Sequence, residues 1–221
     1  MSYKVKEMYY TLQGEGMQAG RSAVFCRFTG CNLWSGREQD RAKAQCRFCD
    51  TDFVGTDGEG GGRFADPESL GKAIQETWDG STKAQDQSQE NEHALVVFTG
   101  GEPLLQLDQA LVDHLHSLGF EIAVETNGTQ KAPQGIDHIC VSPKANAPLV
   151  LTEGHELKLV YPQVELQAQP ELFTKLNFKR FYLQPMDGPK QAENTQAAIK
   201  YCLMNPQWRL SLQTHKYIGI P

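Results

Sequence analysis

The segment ALVVFTG, residues 94–100, is a short run of β-branched and aromatic residues that ends at a glycine, a pattern typical of a buried β-strand. Similar runs recur along the chain, namely AVFCRFTG (23–30), FEIAVETNG (120–128), HICVSPK (138–144), ELKLVYP (156–162), RFYLQP (180–185) and RLSLQT (209–214). Runs that are apolar along most of their length suit strands that are covered on both faces. They therefore predict a largely parallel sheet.

Three segments have the apolar spacing of helices: DPESLGKAIQETW (66–78), QLDQALVDHLHSLG (106–119) and KQAENTQAAIKYCLMN (190–205). In the first, Asp66 is a predicted N-cap before Pro67, and in the second, Gly119 is the predicted end of the helix. The alternation of strands and helices predicts an α/β fold whose sheet is open or closed into a barrel. Only about nine residues separate VETNG from HICVSPK, which argues against a complete eight-stranded barrel.

The composition is that of an ordinary globular protein, and we take residues 1–221 as one domain. A formal net charge of −6 argues against a broad surface for nucleic acid. The chain has neither a signal-peptide pattern nor an apolar run of about 18 residues, so we expect a cytoplasmic protein with no membrane partner. Six cysteines are too few for a disulfide framework, and clustered ones are interpreted as metal ligands.

Two polar segments, GTDGEGGGRF (55–64) and DGSTKAQDQSQENEH (79–93), are expected to be mobile surface loops. Strand-like segments lie on both sides of each loop, so neither loop is interpreted as a domain boundary. The chain has no internal repeat.

A cysteine cluster lies in CNLWSGREQDRAKAQCRFCDTDF (31–53), where Cys31, Cys46 and Cys49 have the spacing C-x14-C-x2-C. A structural zinc site normally needs four ligands, whereas an iron–sulfur cluster can leave one iron open to a small molecule. Cys26 is the nearest fourth cysteine, but strand alternation places it on the same face as Val24 and Phe28, in the core. Cys140 and Cys202 are likewise predicted to be buried thiols. The spacing alone leaves zinc and iron–sulfur both open.

Four motifs resemble those of the radical S-adenosylmethionine (SAM) enzymes: CRFCDT (46–51), TGGEP (99–103), ETNGT (125–129) and VSPK (141–144). With TLQGEG (11–16), LQP (183–185) and QTHKY (213–217), nearly the whole chain is similar to the 7-carboxy-7-deazaguanine synthases of the queuosine (7-deazapurine) pathway. The cysteine spacing departs from the usual family pattern, C-x3-C-x2-C, because about eleven extra residues lie between Cys31 and Cys46. Such an insert is tolerable, since the cost of closing a loop grows only slowly with its length. We expect this insert, residues 32–45, to be a surface excursion with a short helix that alters the docking surface for an electron donor.

The resemblance implies a fold, an activity and a set of cofactors. The fold is a partial, incomplete TIM-like barrel of about six parallel strands with few helices, of the radical SAM type. The implied enzyme is a radical SAM carbon–nitrogen lyase that converts 6-carboxy-5,6,7,8-tetrahydropterin to 7-carboxy-7-deazaguanine with loss of ammonia. Its cofactors are a 4Fe–4S cluster, SAM used catalytically, and Mg²⁺. The implied partners are a flavodoxin or ferredoxin-type reductant and a second copy in a homodimer.

The resemblance also implies site residues, none of them catalytic, because the radical is generated on SAM. The cluster ligands are Cys31, Cys46 and Cys49, and the magnesium ligand is Thr51. The residues that bind SAM are Phe48, Cys49, Asp50, Gly101, Glu102, Ser142, Pro143, Lys144, Gln184, Pro185, Met186 and Asp187. The residues that bind substrate are Leu12, Gln13, Gly14, Glu15, Arg27, Thr99 and Pro221. Weaker candidates are Glu125 and Asn127 at the SAM ribose and His215 in a supporting position.

Structural interpretations of the same residues stay open at this point. Gly100 and Gly101 also suit a tight turn, Thr51 a local cap, and Arg27 a buried ion pair. Two other functions remain: a radical SAM activating enzyme that acts on a protein, and a zinc-binding interaction module that would need Cys26 as a ligand.

Overall fold

The computed structural model describes residues 2–82 and 94–221, and one nine-stranded sheet runs through them. The strands are β1 (Tyr3–Leu12), β2 (Ser22–Phe28), β3 (Gly62–Phe64), β4 (Leu95–Gly100), β5 (Glu121–Thr126), β6 (His138–Val141), β7 (Glu153–Tyr161), β8 (Asn177–Pro185) and β9 (Trp208–Leu210). The α-helices are α1 (Pro67–Thr82), α2 (Gln109–Ser117), α3 (Gln191–Met204) and α4 (Thr214–Ile218). Short 3₁₀ helices cover Gly16–Gln18, Glu38–Lys43, Pro103–Leu105, Leu166–Ala168 and Pro170–Leu172.

The sheet order is β3-β1-β2-β4-β5-β6-β7-β8-β9, with β1 antiparallel to both of its neighbours and all pairs from β2 to β9 parallel. Within the described residues β3 and β9 are the edges, so the barrel is not closed. This arrangement confirms the predicted partial barrel, although its parallel part has seven strands rather than about six because β9 adds a short one. None of the helices in the described ranges is long and apolar enough to cross a bilayer.

Side chains alternate across β2 as predicted. Val24, Cys26 and Phe28 are fully buried in the hydrophobic core, beside Ile74 of α1 and Leu111 of α2. The residues between them face the opposite side of the sheet. Cys26 is therefore a core thiol.

The helix ends follow the predicted capping chemistry. The Asp66 carboxylate accepts a hydrogen bond from Ser69 N at 2.8 Å at the start of α1. At the start of α2 the Asp108 carboxylate accepts one from Leu111 N at 3.0 Å, a cap that was not predicted from the sequence. Gly119 has a φ of 83°, which suits the residue that follows the helix.

The segment at 55–64 differs from the predicted mobile loop. Gly62–Phe64 is strand β3, and Met8 N donates to Glu59 O at 2.7 Å, so the segment lies against β1. A side chain at Gly61 would place its Cβ 2.2 Å from Lys6 O, which explains the glycine there. Of the second predicted loop, residues 79–82 belong to α1 and residues 83–93 lie outside the described residues.

The end of β4 packs against the loop after β2 with no space for a side chain. A Cβ at Gly101 would lie 2.1 Å from Gly30 O and 2.8 Å from the Cβ of Cys31. At Gly100, φ is 127° and a Cβ would lie 2.1 Å from Phe28 O. The paired glycines are thus needed for this backbone contact, whatever else approaches them.

Gly101→Ala should lower the free energy of unfolding by more than about 1 kcal/mol, because the methyl group must displace the backbone at Gly30. Chemical denaturation followed by circular dichroism measures the change. Gly80→Ala in α1 is the matched control, since outside its own helix no atom of the described residues lies within 4 Å of its added Cβ. In a helix that change should stabilise by about 0.5–1 kcal/mol. Equal effects of the two substitutions would contradict the packing argument.

Candidate active site

A cavity of about 650 Å³ lies where the carboxyl ends of parallel strands meet the loops that follow them. Thr99 and Gly100 border it at the end of β4, Thr126 at the end of β5, and Pro185 at the end of β8. The predicted site residues that line it are Leu12, Gln13, Gly14, Glu15, Arg27, Cys31, Cys46, Phe48, Cys49, Asp50, Thr51, Thr99, Gly101, Ser142, Lys144, Gln184, Pro185, Met186, Asp187 and Pro221. The fold therefore brings together residues from both ends and the middle of the chain.

Two predicted SAM contacts are not among the residues that line this cavity. Glu102 is fully buried, and its carboxylate accepts hydrogen bonds from Thr126 Oγ1 at 2.7 Å, Asn127 N at 2.8 Å and Leu104 N at 3.0 Å. It links the ends of β4 and β5, and burial raises its pKa. Pro143 borders a separate cavity of about 220 Å³.

Three thiols face the large cavity. Cys31 accepts a hydrogen bond from Leu33 N at 3.4 Å, and the Cys49 thiol donates to Thr51 O at 3.9 Å. A hydrogen bond from Cys46 lowers the pKa of Cys49 to about 6, the same bond raises the pKa of Cys46, and burial raises that of Cys31. Thiolates are the metal-binding form, and the lowered pKa makes Cys49 the most acidic of the three thiols.

A buried charge cluster lies on another wall of the cavity. Lys158 of β7 is 4% exposed and donates to Glu15 at 2.5 Å and to Glu125 at 2.8 Å. Gln13 adds a hydrogen bond to Glu125 at 3.2 Å. Burial raises the pKa of Glu125; at Glu15 burial acts in the same direction, but the Lys158 ammonium outweighs it and holds the pKa below its ordinary value. Lys158 was not among the predicted site residues, although a lysine in the middle of the apolar run ELKLVYP was a signal.

Arg27 is in the ion pair that was its structural interpretation, and it also faces the cavity. Its Nε donates to Glu7 at 2.7 Å and its Nη2 to the Tyr9 hydroxyl at 3.0 Å, so it is in a partly buried ion pair. It also lines the cavity, and its Nη1 has no hydrogen-bond partner in the described part of the chain. One edge of the guanidinium is thus held in place while another is available.

The C-terminal segment lies across the TLQGEG segment. Thr214 donates to Gly14 O through its N at 3.1 Å and through its hydroxyl at 2.8 Å. A Cβ at Gly14 would meet the His215 ring, which is why a glycine stands there. Lys216 donates to Asp187 at 2.6 Å and to Asp50 at 2.8 Å, so the segment contacts two loops of the cavity. Burial lowers the pKa of His215.

The chain was compared with proteins of known identity. A 7-carboxy-7-deazaguanine synthase of Caulobacter vibrioides is 64% identical over 221 residues, and one of Bordetella pertussis is 62% identical over 224; each alignment covers all of both chains. The chain belongs to the 7-carboxy-7-deazaguanine synthase family. The crystal structure of QueE from Escherichia coli superposes with a TM-score of 0.67 and 27% identity over 96% of this chain and 94% of that one. No protein-family profile matches the chain.

Membership of the 7-carboxy-7-deazaguanine synthase family confirms three predictions made from the sequence: the family itself, the radical SAM fold class and the lyase activity. It also confirms a 4Fe–4S cluster and SAM as cofactors. The roles of individual residues remain predictions.

The donor set suits such a cluster. Three thiols border one cavity, and the other three cysteines are elsewhere: Cys26 in the core, Cys140 in a buried strand and Cys202 on α3. Three thiolate ligands leave one iron open for a small molecule. Cys140 is fully buried as predicted, although it lies beside Glu125 and Glu156, whereas Cys202 is only partly buried.

The insert is less of a surface excursion than expected. Its helix is a 3₁₀ helix, Glu38–Lys43, while Trp34 and Ala44 are buried and pack against Phe53. Cys31 and Cys49 contact this small core, so the insert supports the sulfur atoms of the 7-carboxy-7-deazaguanine synthase site.

Lys158→Met should lower the free energy of unfolding by about 3–5 kcal/mol, because two carboxylates that are only 16% and 19% exposed lose their cation. An unpaired buried carboxylate has a raised pKa, so the native state holds a proton that the unfolded chain releases, and stability falls as pH rises. The deficit relative to the unchanged protein should be larger at pH 8 than at pH 5 in urea denaturation.

Lys72→Met is the control. Lys72 is exposed, and its ion pair with Glu76 is long, at 3.8 Å, so the pair contributes less than about 1 kcal/mol to stability. An equal Lys158→Met deficit at both pH values would assign the loss to packing rather than to charge.

Proposed function

We propose that this protein converts 6-carboxy-5,6,7,8-tetrahydropterin to 7-carboxy-7-deazaguanine with loss of ammonia, by a radical ring contraction that uses SAM catalytically. The observation that carries the proposal is one cavity bordered by both the three thiols and a polar wall of Gln13, Glu15 and Arg27. Because the chain belongs to the 7-carboxy-7-deazaguanine synthase family, we assign the pterin substrate of that reaction to this wall.

Cys31, Cys46 and Cys49 would hold the cluster. When bound, the reduced cluster would supply the electron for reductive cleavage of SAM. The protein's task is then to position the reactants and exclude water. The C-terminal segment contributes to exclusion, because its contacts with Gly14, Asp50 and Asp187 hold it beside the cavity.

The residues proposed for SAM border the same cavity as the thiols. Phe48 and Asp50 lie in the loop that carries Cys46 and Cys49, and Gly101 lies beside Cys31. Ser142 and Lys144 follow β6, and the segment Gln184–Asp187 ends β8 and begins the next loop. Lys144 Nζ donates to the Ser142 hydroxyl and carbonyl at 2.6 Å, which directs the side chain toward the strand end rather than into solvent. Glu102 is proposed to act only by holding β4 and β5 together.

The residues proposed for the pterin form two groups. Arg27 offers Nη1 to the substrate carboxylate. Glu15, Glu125 and the backbone at Leu12 offer acceptors to the donor-rich edge of the ring, and Lys158 keeps Glu15 ionised for that purpose. Thr99 and Pro221 complete the wall.

A magnesium ion is proposed at Thr51. Its side chain lines the cavity beside Cys49, and its hydroxyl has no hydrogen-bond partner among the residues at 2–82 and 94–221. Mg²⁺ takes oxygen ligands and keeps few protein contacts, so substrate oxygens and water would complete its coordination.

The remaining proposals concern partners and location. We propose a flavodoxin or ferredoxin-type reductant, a homodimer and the cytoplasm, where all six unpaired cysteines would stay reduced. Light scattering after size-exclusion chromatography tests the dimer, and reduction of the loaded enzyme by each candidate donor tests the reductant.

The activity is tested by an anaerobic assay that contains SAM, dithionite, Mg²⁺ and 6-carboxy-5,6,7,8-tetrahydropterin. The expected product is 7-carboxy-7-deazaguanine, with SAM not consumed in proportion. A protein carrying the cluster that cleaves SAM yet forms no deazaguanine would be assigned to another radical SAM reaction, such as activation of a partner protein.

Alanine at Cys31, Cys46 or Cys49 should abolish turnover and reduce the bound iron well below about four atoms per chain, because a cluster ligand is lost. Iron and sulfide analysis after anaerobic reconstitution measures this. Cys26→Ala is the control and should retain both iron and turnover, since Cys26 is fully buried in the core. Loss of iron from the Cys26 variant would show instead that Cys26 is a cluster ligand and that the ligand set was wrongly assigned.

A further inference from the structure

Arg41, in the 3₁₀ helix of the insert, reaches the backbone of the loop that carries Cys46 and Cys49. Its Nη1 donates to Arg47 O at 2.8 Å and to Cys49 O at 3.1 Å. Its Nε donates to both carboxylate oxygens of Glu38 at 2.8 Å, which orients the guanidinium. One side chain therefore satisfies two carbonyls that are two residues apart in the cysteine loop.

The same guanidinium also packs on the other end of the insert. Its Cζ lies 4.2 Å from the centroid of the Trp34 ring, within the range of a cation–π contact. Trp34 is buried, donates through its indole to Arg37 O at 3.2 Å and packs edge-on against Phe53. Because Trp34 follows Cys31 by three residues, Arg41 connects the parts of the chain that carry the first and the last cysteine.

The long spacing between Cys31 and Cys46 explains why such a connection is needed. A flexible segment of this length must be ordered before its two ends can present thiols at one point, and ordering costs conformational entropy. Hydrogen bonds to carbonyls on both sides of Phe48 restrict the loop without occupying the sulfur atoms. If the loop is already ordered, part of this entropy has been lost before the cluster binds, so binding is more favourable.

We propose that Arg41 is a positioning residue that holds the loop of Cys46 and Cys49 in a ligand-ready conformation before the cluster binds. The inference rests on the proposed function only in the identity of the ligand. The planar guanidinium is essential to the role, because Nη1 donates to two carbonyls and Nε to Glu38 while the same plane stacks on Trp34, a combination that an ammonium cannot reproduce.

The first test uses the unloaded chain, kept reduced, and measures backbone hydrogen exchange by mass spectrometry. Arg41→Met should speed exchange at residues 44–51, whereas the strands should exchange as before. Lys43→Met is the matched control: it removes one positive charge from the same 3₁₀ helix, and Lys43 is exposed with no hydrogen bond or ion pair to the described residues. Unchanged exchange at 44–51 in Arg41→Met would overturn the proposal.

The second test uses the reconstituted holoprotein and measures the rate of iron loss to a ferrous chelator. Residues that orient metal ligands typically change affinity about 10–100-fold, so Arg41→Met should lose iron at least about tenfold faster than the unchanged protein. Arg41→Lys should be intermediate, since it keeps the charge without the fork, and Lys43→Met should be unchanged. Equal rates in all four proteins would overturn the proposal.

The two tests separate this inference from the proposed function. If the unchanged protein takes up no iron, the proposed function fails, while hydrogen exchange still decides the effect of Arg41 on the loop. Far-UV circular dichroism and the unfolding midpoint establish that each variant is folded. If Arg41→Met is unfolded, Arg41→Lys provides the same comparisons, and exchange equal to that of the unchanged protein then overturns the proposal.

Discussion

The close backbone contact between the end of β4 and the loop after β2 determines where the active site begins. Glu102 N donates to Gly30 O at 2.9 Å, and Gly101 has no room for a side chain beside Cys31. The Glu102 carboxylate then binds the backbone and a hydroxyl at the end of β5. Three neighbouring parallel strands are thus locked together at their carboxyl ends, and the first cysteine leaves the sheet from this junction.

The cysteine loop extends that junction outward. The Asn32 side chain donates to the Thr129 hydroxyl at 2.7 Å and accepts from Asn127 at 3.1 Å, so the residue after Cys31 is tied to the loop after β5. Trp34, Ala44 and Phe53 then form a small separate core against Cys31 and Cys49. The insert is accommodated because it brings its own apolar side chains and its own arginine, and does not depend on the main core.

Electrostatics shape the opposite wall of the cavity. Lys158 enters on β7 as the cation for Glu15 and Glu125, which come from the TLQGEG segment and from β5. Charges with so little exposure are tolerated only when they are paired. Lys158 therefore holds the two carboxylates at fixed positions, where their remaining oxygens can accept hydrogen bonds. The C-terminal segment joins the same network through Gln213, which donates to Glu15 at 3.1 Å. This wall of the cavity and the C-terminal segment therefore share one set of hydrogen bonds.

Local chemistry in the sequence was sufficient for some features and not for others. The apolar run at 94–100, the cap Asp66 and the alternation that buries Cys26 predict a strand, a helix start and a core thiol, because each depends on residues close together in the chain. Motif resemblance supplied the family and most of the residues that line the cavity, since those motifs end strands whose ends converge in a parallel sheet. The N-terminal strand β1, the packing of the glycine-rich segment, the inward position of Glu102 and the pairing of Lys158 depend on which distant backbone lies opposite them. The path of Arg41 to the cysteine loop is also set only in three dimensions, because the spacing of cysteines specifies their number and order but not what holds them in place.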